Sequence, residues 1–256
     1  MSGITAVGSN YNNDIYGQIA SGNRINKAAD DASGLAIAQK LEKEKNGLNQ
    51  GSANASEGVN ALIIADGALG QVTDSLQRVY ELSVKSANTF MYGDEERGYM
   101  QDEANQLLKG IADMVGQTNY NGKQLLDDED SSHIATNPDG SGSDISKVNA
   151  SLQSLGLDNF DITSGDAISK VSDALKKVSG GRAQLGAASV GLEYAKNYND
   201  LAAENTLSAK SSLADLDIGK AVSEKQKKQL LQNYQFMMMK KQQEQKQQHA
   251  AGILRF

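Results

Sequence analysis

The sequence predicts a mainly α protein, with long antiparallel helices in a coiled-coil-like bundle and a small β-hairpin region between them. Three observations carry this expectation. The 256 residues contain a single Pro, where ordinary usage of about 5% would supply roughly thirteen, so helices can run without interruption. Apolar residues recur at seven-residue intervals over two well-separated stretches. Aromatic residues make up only 5% of the chain and Trp is absent, too little bulk for a wide core, so apolar content must lie along narrow seams.

Taken in order, residues 1–26 form a polar N-terminal segment with Ile4, Val7, Tyr11, Ile15 and Ile19 at helical spacing. From residue 27 to 88 a seven-residue walk lands on Leu41, Leu48, Ala55, Leu62, Leu69 and Leu76, with companions Ala65, Val72 and Val79 three residues on. That is an a/d stripe. A helix of about 60 residues is a rod roughly 90 Å long, and it cannot bury such a stripe alone. Residues 95–115 predict a third helix with Met100, Leu107, Leu108, Ile111 and Met114 on one face.

Residues 119–165 form an insert of loops and short strands. Asn119-Tyr120-Asn121-Gly122 and Asn137-Pro138-Asp139-Gly140 are strong turn signals. The weak alternation of residues 133–136 and 144–148 around the second turn predicts a hairpin. The acidic run Asp127-Asp128-Glu129-Asp130 lacks the ligand spacing and Gly of a calcium loop, so it reads as a solvated loop. A second long helix over 168–216 carries Val171, Val178, Leu185, Leu192, Asn199, Thr206 and Leu213, with companions Ala188, Ala195, Ala202, Ala209 and Leu216. Its Ala row permits close approach and buries little area. Asn199 and Thr206 place polar groups in the seam, which makes the packing register-specific rather than strong. One helical bundle therefore spans residues 27–217. Residues 218–256 form a separate C-terminal helix rich in Lys and Gln, whose apolar rows include Leu230, Tyr234, Met238, Ile253 and Leu254.

Composition excludes several classes. With no Cys there are no disulfides, thiolate zinc sites or thiol nucleophiles, and two distant His residues, His133 and His249, leave little for metal binding or triad catalysis. No cofactor or metal and no enzyme activity are expected. A formal net charge of −7 without basic-aromatic interleaving argues against nucleic acid. No apolar run approaches the eighteen or so residues of a membrane span, and the first residues lack the cationic and apolar regions of a secretory signal. Membrane insertion is not expected, and any secretion takes a signal-independent route. On periodicity alone, a self-associating polymer subunit and a non-polymerising helical adaptor both remain open.

The block Ser21-Gly22-Asn23-Arg24-Ile25-Asn26-Lys27-Ala28-Ala29-Asp30-Asp31-Ala32-Ser33-Gly34-Leu35 closely resembles the opening of bacterial flagellins. Leu76-Gln77-Arg78-Val79-Tyr80-Glu81-Leu82 and Gly116-Gln117-Thr118-Asn119-Tyr120-Asn121-Gly122 resemble that family's first half, and Gly181-Arg182-Ala183-Gln184-Leu185-Gly186 its second. The resemblance runs over roughly residues 20–235 in the right order.

That resemblance implies a structural subunit that self-assembles into the flagellar filament for motility. The subunit would be exported through the flagellar type III apparatus with an export chaperone, joined at its ends to filament cap and hook-associated proteins, and located outside the cell. The hook-filament junction protein is the alternative within the same apparatus. The resemblance also implies a surface for a vertebrate Toll-like receptor at Gln77, Arg78, Glu81 and Leu82, with Gly110 where receptor-contacting members carry an acid. Polymerisation is assigned to Leu230, Tyr234, Met238, Ile253 and Leu254. Two departures from the family stand out. Only about twenty residues precede Ser21, and Phe236-Met237-Met238-Met239-Lys240-Lys241 with its Gln-rich sequel replaces a more regular apolar pattern.

Overall fold

The computed structural model describes residues 15–128 and 130–253, with side chains as far as Gln247. The roles expected of Ile4, Val7, Tyr11 and Leu254, and of the Ile253 side chain, lie outside the described residues. In chain order the elements are helix α1, described over residues 15–21; α2, Ala32–Ser86; α3, Asp94–Gln117; strands β1, Asn119–Tyr120, and β2, Lys123–Gln124; β3, Ser131–Ala135, and β4, Gly142–Ser146; a short helix α4, Leu152–Leu155; and the long helices α5, Ala167–Ala214, and α6, Ile218–Ile253. The chain divides into two compact units, one of residues 44–204 and one of residues 1–43 with 205–256.

In the unit of residues 44–204, α2, α3 and α5 form an antiparallel bundle. Cross-helix bonds fix the register: Arg78 Nε donates to Glu103 Oε1 at 2.8 Å between α2 and α3, and Arg182 grips Asp66 through Nε at 2.7 Å and Nη2 at 3.1 Å between α5 and α2. The heptad positions form the core. Ala55, Leu69, Val72, Leu76, Val79 and Ile111 are fully enclosed, and Leu62, Leu108, Val171, Val178, Leu185 and Leu192 nearly so. Each such Leu or Val contributes roughly 1.5–3 kcal/mol by leaving water. An ion pair as exposed as Asp66–Arg182, whose side chains remain about 40% accessible, adds about 1 kcal/mol or less. The seam therefore supplies the stability, and the charges select its register.

The expected hairpin forms between β3 and β4, with His133 opposite Asp144. Its seat is a row of small residues on α2. A Cβ on Gly51 would collide with the Thr136 carbonyl, one on Gly58 with Ile134, and one on Gly47 with Pro138. This closeness lets Asn54 Nδ2 donate to Ala135 O at 2.8 Å. Asn199, 1% exposed, donates to Thr136 O at 2.7 Å. The polar seam residue read from the sequence thus has a backbone carbonyl of the hairpin as its partner, and burying its amide without that acceptor would cost about 1–3 kcal/mol. Within the turn, the Gly140 N–H donates to Asn137 O at 3.0 Å and Gly140 adopts φ +87°, the left-handed conformation that Gly takes without strain.

In the unit of residues 1–43 and 205–256, loop chemistry replaces core. The first long helix begins at Ala32, five residues later than periodicity alone places it. The Asp30 carboxylate accepts the Asn26 and Lys27 N–H groups at 2.9 Å each, closing a turn, and Asp31 caps α2 by accepting the Gly34 N–H at 2.8 Å. A Cβ at Gly34 would meet the Asp31 carboxylate and the Ile25 Cδ1, so both side-chain ends would have to shift to admit it. Arg24 Nη2 donates to Leu213 O at 2.7 Å at the end of α5, beside a short antiparallel bridge of Asn23 with Asp215. Lys210 binds Glu42 at 2.5 Å. Among the described residues of this unit only Ile25, Ala38 and Ala214 are buried apolar side chains.

Two stability outcomes follow from this packing. Ala normally exceeds Gly by about 1 kcal/mol in a helix interior, and Gly67 faces open space, so Gly67→Ala raises the melting temperature. Gly51→Ala lowers it, with a stability loss on the order of 1–3 kcal/mol, because the Thr136 carbonyl must move and loosen its bond from Asn199. Thermal melts followed by circular dichroism check both signs.

A pH outcome follows from His133. Its Nδ1 lies 2.7 Å from Asp144 Oδ1 and its Nε2 3.1 Å from Gly140 O, so the doubly protonated ring donates to both acceptors and the Asp144 bond, then the Gly140 bond, hold its pKa above the ordinary 6.5. The contribution to hairpin stability is complete below about 6.5 and disappears as pH rises through the elevated folded value. Proton NMR titration of the ring measures the shift. An ordinary pKa, or a hairpin equally stable on both sides of this range, would contradict the assignment.

Candidate assembly and recognition surfaces

Helix α6 starts at a side-chain cap, with Asp217 Oδ1 accepting the Lys220 N–H at 3.0 Å. One face of its first three turns, Ala221, Val222, Lys225, Lys228 and Gln229, is partly covered. Lys225 Nζ stands 4.0 Å from the centroid of the Tyr16 ring, a cation–π contact, and Gln229 Nε2 donates to Tyr16 Oη at 3.4 Å. Beyond that point the cover ends, and every residue from Leu230 to Gln247 is exposed. Leu230, Tyr234 and Met238 are 71%, 60% and 50% accessible. With Leu231 and Met237, also exposed, they make a helical row at steps of three and four. Three of the five polymerisation residues read from the sequence thus share one unpartnered stripe.

On α2 the recognition residues separate. Gln77, Arg78 and Glu81 are exposed, with Arg78 bound to both Glu81, at 3.1 Å, and Glu103. Leu82 is 3% exposed and belongs to the core, which corrects its placement on the outer surface. The cause is local packing: here α2 meets α3 as well as α5, so its buried arc widens beyond the seven-residue rows, which continue through Ser83 and Ser86, to include Leu82. Gly110 is exposed with nothing near its Cα hydrogen. It lies seven residues beyond Glu103 and so on the same face of α3. The guanidinium–carboxylate register puts it level with about residue 71 of α2, so an acid at 110 would extend the acidic edge that Glu103 begins.

Two features escaped the sequence reading. One is a cavity of about 400 Å³ in the unit of residues 44–204, between α2, α5 and both hairpins, floored by Leu62, Ala65, Ile134, Ile145 and Leu185. Gln124 lines it. The Gln124 Nε2 donates to Gly116 O at 2.8 Å, while its buried Oε1 has no hydrogen-bond partner. The other is the turn between α2 and α3, where Phe90 is 94% and Met91 66% exposed. The cavity had no signal, because its walls come from four distant segments. The turn had one, since Phe90-Met91-Tyr92 is an apolar triplet at a helix boundary. Among the described residues no group of His, Asp or Glu is arranged to hold a metal ion, and no helix is long and apolar enough to cross a membrane.

Comparison with known proteins places this geometry. Residues 8–131 match the bacterial flagellin N-terminal helical region and residues 168–250 the bacterial flagellin C-terminal helical region. The chain is 36% identical to a flagellin of Halalkalibacterium halodurans over 216 residues, 81% of this chain and 79% of that one. It is 34% identical to the flagellar filament 33 kDa core protein of Treponema phagedenis over 237 residues, 84% and 82% of the two. A crystal structure of Bacillus cereus flagellin superposes with a TM-score of 0.51 at 22% identity, covering 57% of this chain and 88% of that one. A putative flagellar hook-associated protein of Vibrio parahaemolyticus gives 0.51 at 17% identity, covering 73% and 97%. The two structural likenesses establish fold alone and do not separate filament from hook-associated proteins. The family matches and the sequence relatives do, and the chain belongs to the bacterial flagellin family.

Proposed function

We propose that this flagellin polymerises by completing, between copies of itself, the apolar row that α6 leaves exposed from Leu230 to Met239. The chain is a structural subunit of the bacterial flagellar filament, and its family is not enzymatic. The single observation carrying the reading is the abrupt end of cover at Leu230. A stripe of Leu, Tyr and Met with half or more of each side chain in water is a surface awaiting a partner. The thinly cored unit of residues 1–43 and 205–256 agrees with this reading, since neighbours would supply the missing apolar contacts. On this account residues 1–26 and 218–256 form the inner layer of the filament, and residues 27–217 form the bundle domain with its insert at 119–165.

In the same reading the subunit leaves the cell through the flagellar type III apparatus with an export chaperone, and the filament it builds ends at cap and hook-associated proteins. The Toll-like receptor surface comprises Gln77, Arg78 and Glu81, with Leu82 acting only as their buried support. Because Glu81 and Glu103 already bind Arg78, a receptor carboxylate must compete for the guanidinium, and Gly110 presents no acid to a receptor cation.

Deleting Gln235–Phe256 is expected to leave a bundle with the parent's melting temperature that no longer forms sedimentable polymer on added seeds. Normal polymer from the truncated chain would remove the assembly role of α6. For the receptor, Arg78→Ala should weaken binding on the order of tenfold, about 1.4 kcal/mol, and Gly110→Glu should strengthen signalling in a reporter cell. Equal responses from both variants and the parent would exclude this surface.

A further inference from the structure

We propose that Met237 and Met238 of α6 are an oxidation-sensitive modification site: a peroxide converts their thioethers to sulfoxides in the free subunit and so stops it from joining the polymer. The inference rests on the filament-subunit reading above. The chain has seven Met, and their environments differ. Met100, 7% exposed, lies in the core of the unit of residues 44–204. Met237, Met238 and Met239 follow one another on α6 and are 62%, 50% and 54% exposed. Exposed thioethers are the ones a peroxide in solution reaches. At about 100° per residue, Leu230, Leu231, Tyr234, Met237 and Met238 fall within one arc of roughly 120°, and Met239 falls about 80° outside it. Two of the three thioethers therefore belong to the row that assembly would bury, and the third does not.

The chemistry is a two-electron oxygen transfer. A lone pair on the Met sulfur attacks one oxygen of hydrogen peroxide, the O–O bond breaks and an S–O bond forms. The other oxygen leaves with both protons as water, so sulfur is oxidised and the peroxide reduced. No charge is added. What changes is polarity, because a flexible apolar side chain becomes a polar one carrying an acceptor oxygen. In the free subunit that oxygen is hydrated, since every residue from Leu230 to Gln247 is exposed. In an assembled row it would have to shed its water among Leu and Tyr side chains, and a buried acceptor without a donor is unfavourable. Oxidation therefore opposes the joined state and leaves the free one unaltered, and the enclosed Met100 keeps the bundle core out of reach of the reagent.

Met91 is also exposed, at 66%, so every full-length subunit tested carries Met91→Leu to silence it. Subunits are treated with hydrogen peroxide, the excess is removed with catalase, and growth on seeds is followed by light scattering. Peptide mass spectrometry reads the sulfoxide at each Met. The oxidised Met91→Leu subunit should melt like the untreated one and elongate roughly tenfold or more slower, a factor that the lost burial of a single Met side chain supplies. Reduction with the two methionine sulfoxide reductases, one for each sulfoxide epimer, should restore the rate. Adding Met237→Leu and Met238→Leu should make growth resistant to peroxide, whereas adding Met239→Leu should not. Oxidised subunits that elongate at the untreated rate, or equal protection by Met239→Leu, would overturn the site while leaving the filament reading intact. A parent chain that forms no polymer on seeds would instead overturn the filament reading and this site with it.

Discussion

The antiparallel seam between α2 and α5 is the constraint on which the rest of the structure depends. Its rows of Leu, Val and Ala are narrow: enough to hold two rods together, and too thin to specify their register by volume alone. Register therefore falls to a few polar contacts. Asp66 with Arg182 and Ser52 with Asp200, the latter at 2.5 Å, tie the helices at two levels, and Asn199 ties α5 to the hairpin. Sliding either helix by one turn would break all three and leave the buried Asn199 amide without its acceptor.

That seam also explains why the insert sits where it does. Gly47, Gly51 and Gly58 strip one strip of α2 of side chains, and the hairpin backbone fills the space. Glycine inside a helix costs about 1 kcal/mol relative to Ala. At Gly51 the cost is offset by a close backbone approach that gives Asn54 and Asn199 their carbonyl acceptors. The arrangement leaves a gap between hairpin and helices, and that gap is the cavity lined by Leu62, Ile134 and Leu185.

Burial is graded along the molecule in a way that fits a polymer subunit. The unit of residues 44–204 encloses nearly all the large apolar side chains of its seam, whereas the other unit buries only Ile25, Ala38 and Ala214 among its described apolar residues. Helix α6 goes further and exposes Leu230, Tyr234 and Met238. A self-contained protein would not present such a row to water. In a subunit, the same row is the apolar surface still to be buried.

Much of this was legible in the chain itself. Seven-residue spacing located the buried rows of α2 and those of α5 as far as Asn199, beyond which the expected Ala209 is exposed; the Asn-Pro-Asp-Gly turn located the hairpin, and the exposed row of α6 followed from apolar spacing among Lys and Gln. These properties are local: periodicity and turn chemistry act over a few residues, so the sequence alone determines them. Tertiary structure decided the rest. Leu82 lies on the same helix as Arg78, yet it is buried because α3 packs against that end of α2. Ala32 begins that helix because Asp31 bonds the Gly34 N–H. Asn199 finds its partner sixty-three residues away in sequence, and the cavity exists only where four segments converge. Which side of a helix meets water depends on how many neighbours close around it, and that number is set by long-range packing that no local pattern records.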